Sequence, residues 1–507
     1  MAVVKKPARW LGALAGIAAA AVAIGLAELI AALSGPQSAP VIAVGDVVVD
    51  SVPPSVKNFA TSTFGTDDKN ALITGTFILL AIVAAVIGAW AVHDIRIGYA
   101  GIALFGVLGA IAAVTRHGAN AGAVFPSLIG AAAGAFVLFQ ILRGPRTRRP
   151  DIDSAAGRRT VLIGSVVALV GGLIAEVIGR QLGERRNVSS ARESVVLPTP
   201  TQAPPSLAPD QALSGQTAFV TANSQFYRID TALVVPQVDP NTWTLRVHGR
   251  VRKEITLTYQ QLLARPMVQR YITLCCVSNP VGGNLISNAL FQGVLLRDVL
   301  AEAGPLPGAD QLVGRSVDGF TAGSPTAVVM DGRDALLAVG MNGEPLPVEH
   351  GFPVRTVVPG LYGYVSGTKW ITELELTSFA DFDAYWVPRG WSAMGPIKTE
   401  SRIDTPTDGK TLGAGRVAIA GVAWAQHKGI SKVEVRVDND AWRPATLDPV
   451  PSVDTWRQWY LYWDATPGAH QLQVRATDNA GQTQTSQVAD VAPNGASGYH
   501  TINVSVR

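Results

Sequence analysis

Cysteine is scarce in this chain of 507 residues. There are two, the neighbours Cys275 and Cys276, and they cannot build a disulfide framework because an ordinary bridge between adjacent residues is strained. The sequence also lacks a Cys-x-x-Cys-His motif for haem attachment and a cysteine set for an iron–sulfur cluster. Any thiol chemistry is therefore confined to one point in the chain.

Charge is scarce as well. Charged residues make up 16 % of the chain, against about a quarter in soluble domains, whereas hydrophobic residues reach 48 %. This composition excludes a disordered chain and indicates a membrane protein. The 41 Lys and Arg residues nearly balance the 38 Asp and Glu residues, and the net charge is +3. No basic excess of the kind that nucleic-acid-binding domains carry is present, so nucleic acid is excluded as a partner.

Long apolar runs fill the first 180 residues, and each approaches the roughly 20 residues that a helix needs to cross a bilayer. The five runs are residues 10–33, 71–92, 97–114, 119–142 and 160–180. Basic residues gather before the first run (Lys5, Lys6, Arg9) and between the fourth and fifth (Arg143, Arg146, Arg148, Arg149, Arg158, Arg159). The positive-inside rule therefore predicts a multi-pass protein of the cell membrane with a cytoplasmic N-terminus. Five spans then place the C-terminal half outside the cytoplasm.

The pair Arg158-Arg159 stands directly before the fifth apolar run and allows two interpretations. It is either an ordinary positive-inside anchor or a twin-arginine signal of the kind that exporters of folded proteins recognise. The sequence leaves both open.

The texture of the chain divides the rest into segments. After a transmembrane domain (residues 1–182), residues 183–215 are rich in Pro and Ser and predict an extended linker. Residues 216–385 predict an α+β domain, and the alternating runs in residues 386–507 predict an immunoglobulin-like all-β sandwich. The clearest predicted strands are Trp243–Val247, Leu312–Val317 and Val354–Val358, and the clearest helices are Tyr259–Leu263 and Leu295–Ala303.

The two thiols open a longer motif. Residues 276–279 (CVSN) are followed by residues 291–300 (FQGVLLRDVL), which we interpret as a helix start. Together they resemble the metal-ligand segment of the sulfite oxidase superfamily of molybdopterin enzymes, where Cys-x-x-Asn precedes Trp/Phe-x-Gly-x-x-Leu-x-Asp/Glu-Leu/Val-Leu. The resemblance implies a molybdenum–molybdopterin cofactor with Cys276 as metal ligand, whereas each cysteine taken alone is equally well a buried small hydrophobe. A soft thiolate is a donor that such a metal accommodates.

A second block, residues 341–370 (MNGEPLPVEHGFPVRTVVPGLYGYVSGTKW), also resembles this superfamily. In the family, the His and Arg of a His-Gly-Phe/Tyr-Pro-x-Arg run and a Lys before Trp bind the pterin and its phosphate. Arg and Lys suit a phosphate without any resemblance, because they form charge-assisted hydrogen bonds. The matching positions are His350, Arg355 and Lys369, with Gly367 and Thr368 as further donors.

A third segment, FYRID, resembles the family's Phe-x-Arg-Asn-His run that touches the cofactor. It departs at its last two positions, so Asp230 receives no role. Arg228 is a candidate for both cofactor binding and catalysis. The remaining candidate cofactor contacts are Phe226, Tyr227 and, in the run SVDGF, Asp318.

The resemblance covers residues 220–507 and implies two-electron oxygen-atom transfer on a small sulfur-oxyanion-like substrate, with electrons passed to a separate partner. It also implies a homodimer formed through the C-terminal module. Sulfite-oxidising members place arginines after Cys-x-x-Asn, where residues 280–283 here read PVGG. Arg389 and Arg457 are candidate replacements in an anionic pocket. An S-oxide or N-oxide reductase, and a membrane-tethered binding protein with an inactive cofactor domain, remain alternatives.

Overall fold

The computed structural model describes residues 9–52, 56, 68–116, 119, 121–143, 154–184, 188–207 and 212–507. The chain forms two compact units. One comprises Met1–Asn187 with Thr231–Gln237, and the other comprises Val188–Asp230 with Val238–Arg507. Part of the predicted topology signal, namely Lys5, Lys6, Arg146, Arg148 and Arg149, lies outside the described residues.

Helices make up the first unit. Its described helices are α1 (Arg9–Ser34), α2 (Pro40–Ser51), α3 (Asp68–Ala91), α4 (Ile95–Val114), α5 (Phe125–Leu142) and α6 (Ala155–Glu184). Among the described residues, five helical segments are long and apolar enough to cross a membrane, and they match the five predicted runs. Helix α2 is shorter and was not predicted, because its 12 residues, which include Asp46 and Asp50, are too few and too polar for a span.

Helix α1 packs against α3, α5 and α6 through close backbone contacts at glycines. A Cβ placed on Gly88 would lie 2.1 Å from the carbonyl oxygen of Gly12, and one on Gly25 would lie 2.1 Å from that of Gly172. Only glycine permits such an approach, which small residues commonly provide between membrane helices. The Gly and Ala richness of the runs therefore serves helix packing.

The second unit begins with an α+β domain. Its strands are β1 (Thr244–Gly249), β2 (Ile255–Thr258), β3 (Val268–Cys275), β4 (Ile286–Leu295), β5 (Gln311–Ser316), β6 (Thr321–Pro325), β7 (Leu336–Met341), β8 (Glu344–Pro345), β9 (Arg355–Val357) and β10 (Ile371–Thr377). One sheet has the order β2-β1-β10-β5-β6, and the other has the order β3-β4-β7-β8 with β9 paired to β7. The short helices of this unit are α7 (Ser189–Glu193), α8 (Tyr259–Leu263), α9 (Leu296–Ala303), α10 (Thr326–Val329) and α11 (Gly363–Ser366).

The cysteine motif differs from its prediction in one respect. Residues 286–295, whose C-terminal part was expected to start a helix, form strand β4, and α9 begins at Leu296. Strand β4 pairs with β3 along its length, and Cys275 lies opposite Ile286. The helix predicted at Leu295–Ala303 is confirmed as α9, whereas residues 291–295, which the motif was interpreted to place at the helix start, are paired in the sheet.

A two-sheet β-sandwich ends the chain. Its strands are β11 (Glu400–Thr405), β12 (Thr411–Leu412), β13 (Gly415–Trp424), β14 (Ile430–Val437), β15 (Arg443–Pro444), β16 (Thr446–Leu447), β17 (Arg457–Ala465), β18 (Gly468–Asp478) and β19 (His500–Val506). The sheets have the orders β11-β13-β17-β16 and β12-β19-β18-β14-β15. Ile419 and Trp459 of the first share one hydrophobic core with Val433 and Val474 of the second.

The segment predicted as an extended linker, residues 183–215, contains the end of α6 and the short helix α7 (Ser189–Glu193), and its later described residues have no helix or named strand. These residues are attached to the second unit. Gln292 donates from Nε2 to the carbonyl oxygen of Pro198 at 2.6 Å, and the backbone N–H of Thr201 donates to Met267 at 2.7 Å. Val195 and Leu197 pack against the core. Proline prevents regular pairing here, yet tertiary contacts hold the chain in place.

One short segment belongs to the first unit although the chain on both sides of it belongs to the second. In this segment, Thr231–Gln237, Ala232 is buried and its carbonyl oxygen accepts a hydrogen bond from Lys69 Nζ at 2.6 Å. A Cβ on Gly45 of helix α2 would lie 2.8 Å from a methyl carbon of Leu233. The first unit therefore includes residues that lie far along the chain.

Candidate functional site

The two cysteines have different surroundings. Cys275 ends strand β3, is 2 % exposed and belongs to the main hydrophobic core of its domain. Cys276 is 9 % exposed and belongs to none of the hydrophobic clusters found among the described residues. Cys275 is the last residue of β3 and packs in the core, whereas Cys276 is the first residue of the loop that follows. This geometry favours Cys276.

The Cys276 loop, residues 276–285, is held by its own polar groups. The backbone N–H of Asn279 donates to the Cys276 carbonyl at 3.1 Å, and Asn279 Oδ1 accepts the N–H of Leu285 at 2.8 Å. Burial raises the pKa of the Cys276 thiol, and hydrogen bonds from the backbone and hydroxyl of Ser278 oppose that shift. Asn279 fixes the loop, and Ser278 stabilises a thiolate on Cys276.

Arg355 is a buried cation with few bonds. Its Nη1 donates to the His350 carbonyl at 3.3 Å and its Nε to the Thr356 carbonyl at 3.4 Å, both long contacts. No described residue hydrogen-bonds its Nη2, and a Cβ on Gly367 would lie 3.3 Å from that atom. Burial lowers the pKa of Arg355 to about 10. A buried guanidinium with unused donors calls for an anion, and Gly367 leaves it room.

His350 lies beside Arg355 in the turn Val348–His350 and is buried. Burial, together with the charges of Arg355 and Lys369, lowers its pKa to about 4, so the imidazole is neutral at pH 7. Its Nε2 lies 3.2 Å from the Asn223 carbonyl oxygen, which can only accept. Nε2 therefore carries the proton, and Nδ1 is a hydrogen-bond acceptor for a ligand.

Lys369, Asp230 and Arg228 form an ion-pair group. The Nζ of Lys369 lies 2.7 Å from Asp230 Oδ2, and Nε of Arg228 lies 2.9 Å from the same oxygen. The Asp230 side chain is 3 % exposed, whereas that of Arg228 is 38 % exposed. Burial lowers the pKa of Lys369 to about 8, and Asp230 opposes that shift. Asp230, to which the sequence assigned no role, is the carboxylate that holds both cations.

Asp318 lies within electrostatic range of this group. Burial raises its pKa, the charge of Asp230 raises it further, and Lys369 lowers it. Its Oδ1 accepts the backbone N–H of Phe320 at 3.2 Å. The structure thus brings Asp318 near the predicted cofactor residues.

Two aromatic residues, Phe226 and Tyr227, lie near both His350 and Cys276. Phe226 stacks on Tyr227 with ring centroids 5.4 Å apart and meets the His350 ring edge-on at 5.4 Å. Burial raises the pKa of the Tyr227 phenol, and nearby Cys276 raises it further, while Arg355 lowers it. The phenol of Tyr227 therefore lies within electrostatic range of both Cys276 and Arg355.

The donors expected from Gly367 and Thr368 are engaged within the protein. The N–H of Gly367 donates to Gly363 at 2.7 Å, and that of Thr368 to the Thr356 hydroxyl at 2.8 Å. The Thr368 hydroxyl faces the Gly314 carbonyl at 3.4 Å. Both residues therefore stay predicted cofactor contacts, with these donors paired within the protein and with Gly367 close to Nη2 of Arg355.

The two candidate substrate arginines are also engaged. Arg457 donates from Nε to the Asp448 carbonyl and from Nη1 to the Ile430 carbonyl, each at 2.8 Å and each inside the sandwich. These bonds hold the Arg457 side chain within the C-terminal module, and its substrate role stays a prediction. Arg389 stacks 3.7 Å over the Tyr385 ring and donates to the Tyr385 carbonyl at 2.5 Å.

Sequence reasoning missed two residues of this site. Ser278 stands inside the quoted Cys-x-x-Asn motif, and its hydroxyl at a short spacing from the thiol was the available signal. Asp230 stood at a departure from the family's run, and a carboxylate in place of a histidine was itself the signal. Its partner Lys369 is 139 residues away, so the pairing could not be inferred from spacing.

The residues fit a pterin cofactor with a phosphate better than a metal held by protein alone. Within the described part of the chain, no three His, Cys, Asp or Glu side chains converge as metal ligands. The family resemblance implies that a molybdenum bound at Cys276 would take other ligands from the pterin cofactor. The unused donors of buried Arg355 fit an anionic group, and Nδ1 of His350 fits a donor on the same molecule.

Residues 232–386 match the family model described as oxidoreductase molybdopterin binding domain. The chain is similar to human mitochondrial sulfite oxidase, with 28 % identity over 345 residues that cover 58 % of this chain and 61 % of that protein. It is also similar to chicken sulfite oxidase, with 29 % identity over 324 residues, covering 54 % of this chain and 70 % of that protein. The chain spans about three fifths of the length of the mammalian sulfite oxidases that it matches.

Similarity extends to a NADH nitrate reductase of rice, with 28 % identity over 315 residues, covering 49 % of this chain and 34 % of that protein. Among solved structures, the sulfane dehydrogenase SoxCD of Paracoccus pantotrophus has a TM-score of 0.50 and 24 % identity. That match covers 56 % of this chain and 80 % of the SoxCD chain, and it concerns the fold alone.

Proposed function

Because the chain belongs to the sulfite oxidase superfamily of molybdopterin-dependent oxidoreductases, we propose that it is a membrane-anchored, extracytoplasmic enzyme of oxygen-atom transfer. Its substrate is a small sulfur-oxyanion-like molecule, and its two electrons pass to a separate partner protein. The observation that carries this proposal is that Tyr227 lies within electrostatic range of two groups: the Cys276 thiol, which belongs to no hydrophobic cluster of the described residues, and the buried Arg355, whose hydrogen bonds are few and long.

The molybdenum–molybdopterin cofactor supplies two-electron oxygen-atom-transfer chemistry when bound. Cys276 would bind the metal as a thiolate, and Ser278 would stabilise that thiolate with two hydrogen bonds. Arg355 and Lys369 would hold the phosphate, since both are buried cations. Nδ1 of His350 would accept a hydrogen bond from the pterin. Phe226 and Tyr227 would exclude water from the same space.

Arg228 is the cation best suited to meet an anionic substrate. Its guanidinium is partly exposed and is bound to Asp230 at Nε, so that its side chain is oriented while part of it faces solvent. A fixed positive charge at the reacting centre is what an oxyanion requires. Arg389 remains a second proposed contact at the rim of the site.

A reductase acting on S-oxides or N-oxides is the second candidate, and one observation favours it. The four residues after Asn279 are Pro280, Val281, Gly282 and Gly283, which bring no positive charge to the place where a dianion would bind. A neutral oxide needs none. The direction of turnover separates the two candidates.

Metal and pterin analysis of the purified full-length chain tests the proposed enzyme. We expect about one molybdenum and one pterin per chain, and oxidation of sulfite with an artificial electron acceptor. Reduction of a sulfoxide by a low-potential dye, without sulfite oxidation, would favour the second candidate. A preparation free of both molybdenum and pterin, from cells that supply the cofactor, contradicts both.

The proposed topology places the five long helices in the membrane and the second unit outside the cytoplasm. Arg158 and Arg159 are exposed in the first turn of helix α6. Cations are unfavourable at a helix N-terminus because the macrodipole is positive there, so helix stability does not explain the pair. Membrane orientation by the positive-inside rule, or recognition by an exporter of folded proteins, would explain the pair. The cofactor site joins segments from Arg228 to Lys369, which supports export after folding and loading.

The C-terminal sandwich has alternating strands and a core shared by two sheets, which support an immunoglobulin-like fold. In keeping with the family resemblance, we propose that it also forms a homodimer contact. Sedimentation of the purified chain in detergent, with and without residues 400–507, tests this.

A further inference from the structure

We infer that Arg402 and His500 of the β-sandwich are positioning residues that hold the Cys276 loop in its ligand-binding conformation. This inference rests on the proposed function, because a metal-ligating Cys276 is what the loop would present. It assigns the sandwich a part in the site itself: strands β11 and β19 supply one side of the loop's support.

Arg402 reaches the loop from strand β11. Its Nη1 donates to the carbonyl oxygen of Gly283 at 2.7 Å, while Nε binds Asp404 at 2.6 Å and Nη2 binds the Thr217 hydroxyl at 2.9 Å. Arg402 and Asp404 are both buried, with side chains 10 % and 7 % exposed. Three separately directed bonds fix the guanidinium plane, and one of them fixes the loop backbone.

His500 reaches the same loop from strand β19. Gly282 has φ of +76°, and a Cβ placed on it would lie 2.2 Å from His500 Cδ2. The His500 ring therefore packs directly on the Gly282 backbone. Its Nδ1 accepts the backbone N–H of Ile403 at 2.9 Å, and burial lowers its pKa, so the ring is neutral and has its proton on Nε2. Ile403 is the neighbour of Arg402, so the two contacts are mechanically linked.

The strand that leads into the loop is bound by the sandwich as well. The N–H of Thr273 on β3 donates to the Asp454 carbonyl at 3.0 Å, and its hydroxyl accepts the N–H of Trp456 at 2.7 Å. Gln426 Nε2 donates to the Thr273 carbonyl at 3.1 Å. Strand β3 before Cys276 is hydrogen-bonded to the C-terminal module through Thr273, and the loop after Cys276 contacts Arg402 and His500 of the same module.

The loop needs such support because its own sequence is permissive. Gly282 and Gly283 lose more conformational freedom on ordering than other residues, and a metal ligand must keep its position to about half an ångström. Arg402 and His500 act through the loop backbone and not on the substrate. Their loss should therefore change the position of the thiolate before it changes the fold.

The test uses Arg402→Lys and His500→Asn in the full-length chain. Lysine keeps the charge but cannot make three directed bonds, and asparagine keeps an acceptor for Ile403 while removing the ring. Arg475→Lys and His470→Asn are matched controls, because those residues bind Glu434 and Asp438 elsewhere in the sandwich. Melting temperatures identify any variant that is simply unfolded.

The first readout needs no cofactor. In chain purified from molybdate-starved cells, alkylation by a thiol reagent should occur at Cys276, as verified by its absence in Cys276→Ser. We expect both test variants to react about tenfold faster than wild type, since local opening gains from the loss of a buried charge-assisted bond or of ring packing. The controls should react at the wild-type rate.

The second readout is the electron paramagnetic resonance signal of the partly reduced, loaded enzyme. We expect shifted g-values in both test variants with KM nearly unchanged and kcat reduced. Wild-type alkylation rates together with a wild-type signal would overturn the inference, and so would equal acceleration in the controls. A wild-type chain that never contains molybdenum overturns the proposed function instead, and leaves the alkylation result to judge whether the loop is held.

Discussion

The two units differ in the large apolar side chains that they leave exposed, although the first unit also buries some, such as Leu11 and Leu138. In the first unit, small residues such as Gly88 meet backbone, while large side chains such as Leu79 and Val167 are more than half exposed. In the second unit, large side chains such as Trp370 and Trp424 are buried. In water, burial of a large apolar side chain lowers the free energy, whereas in lipid the hydrophobic effect contributes nothing to its burial. The large apolar side chains exposed on the first unit support a membrane environment for it.

Charge divides the units as well. The second unit buries Arg355, Lys369 and Asp230 close together, which is costly unless a ligand or function depends on them. The glycines of the two units differ accordingly. Gly88 allows close contact with the backbone of another helix. Gly282 and Gly367 allow close contact with the side chains of His500 and Arg355. In the first unit these glycines serve helix packing, whereas in the second unit they lie beside predicted site residues.

The strongest test of this division is the pair of adjacent thiols. Cys276→Ser should reduce turnover roughly a thousandfold or more, because the metal loses its protein ligand while pterin contacts at Arg355 and Lys369 remain. Turnover and pterin content are measured together. Cys275→Ser should be mild, since that side chain lies in the core. The opposite ranking would mean that Cys275 is the ligand.

Export provides the next largest effect and links the two units. Replacing both Arg158 and Arg159 with Lys keeps the positive charge but removes the guanidinium pair. We expect the second unit to stay protected from protease added at the outer face, with the earlier helices still inserted. A molybdenum-loaded and protease-accessible second unit in this variant would reduce the pair to an anchor.

Arg355→Ala tests the buried charge of the second unit. We expect pterin occupancy to fall about tenfold or more, because a charge-assisted bond to a phosphate is lost in a buried place. Pterin released by acid denaturation measures this. Arg389→Ala is the control and should keep its pterin, because Arg389 stacks on Tyr385 and is less buried than Arg355. Equal losses of pterin in the two variants would contradict this prediction.

Gly88→Leu tests packing in the first unit. A side chain there would meet the Gly12 backbone, so we expect destabilisation of the first unit by about 1–3 kcal/mol. Gly75→Leu, in the same helix, is the control because nothing lies within 4 Å of its Cβ position. Detergent-induced unfolding followed separately for each unit measures the effect. Loss of pterin in parallel would show that the units are not independent.

The smallest expected effect concerns pH. Lys369 has a pKa of about 8, lowered by burial, so its ammonium is lost as pH rises through 8 in cofactor-free protein. We expect binding of the pterin phosphate to weaken a few-fold between pH 7 and 9. Lys369→Arg, which stays charged, should flatten this dependence. His350, with a pKa of about 4, contributes no change over that range.

The sequence was sufficient wherever a local pattern carried the information. Apolar length predicted the five long helices, and the alternating runs predicted the C-terminal strands. It was insufficient where partners are distant in the chain. Arg402 contacts a loop 119 residues earlier, and Asp230 pairs with Lys369 after 139 residues, and neither spacing leaves a periodic trace. The β4 pairing with β3 likewise depended on a tertiary partner.

The segment Thr231–Gln237 makes the polypeptide pass from one unit to the other three times, after residues 187, 230 and 237. The second unit is therefore not connected to the first by a single linker. After a protease cut within residues 193–214, the chain would still pass between the two units at residues 230 and 237. A shortened protein that begins at residue 188 would still contain residues 231–237, which belong to the first unit. Separating the units cleanly requires replacing this segment as well as cutting the linker.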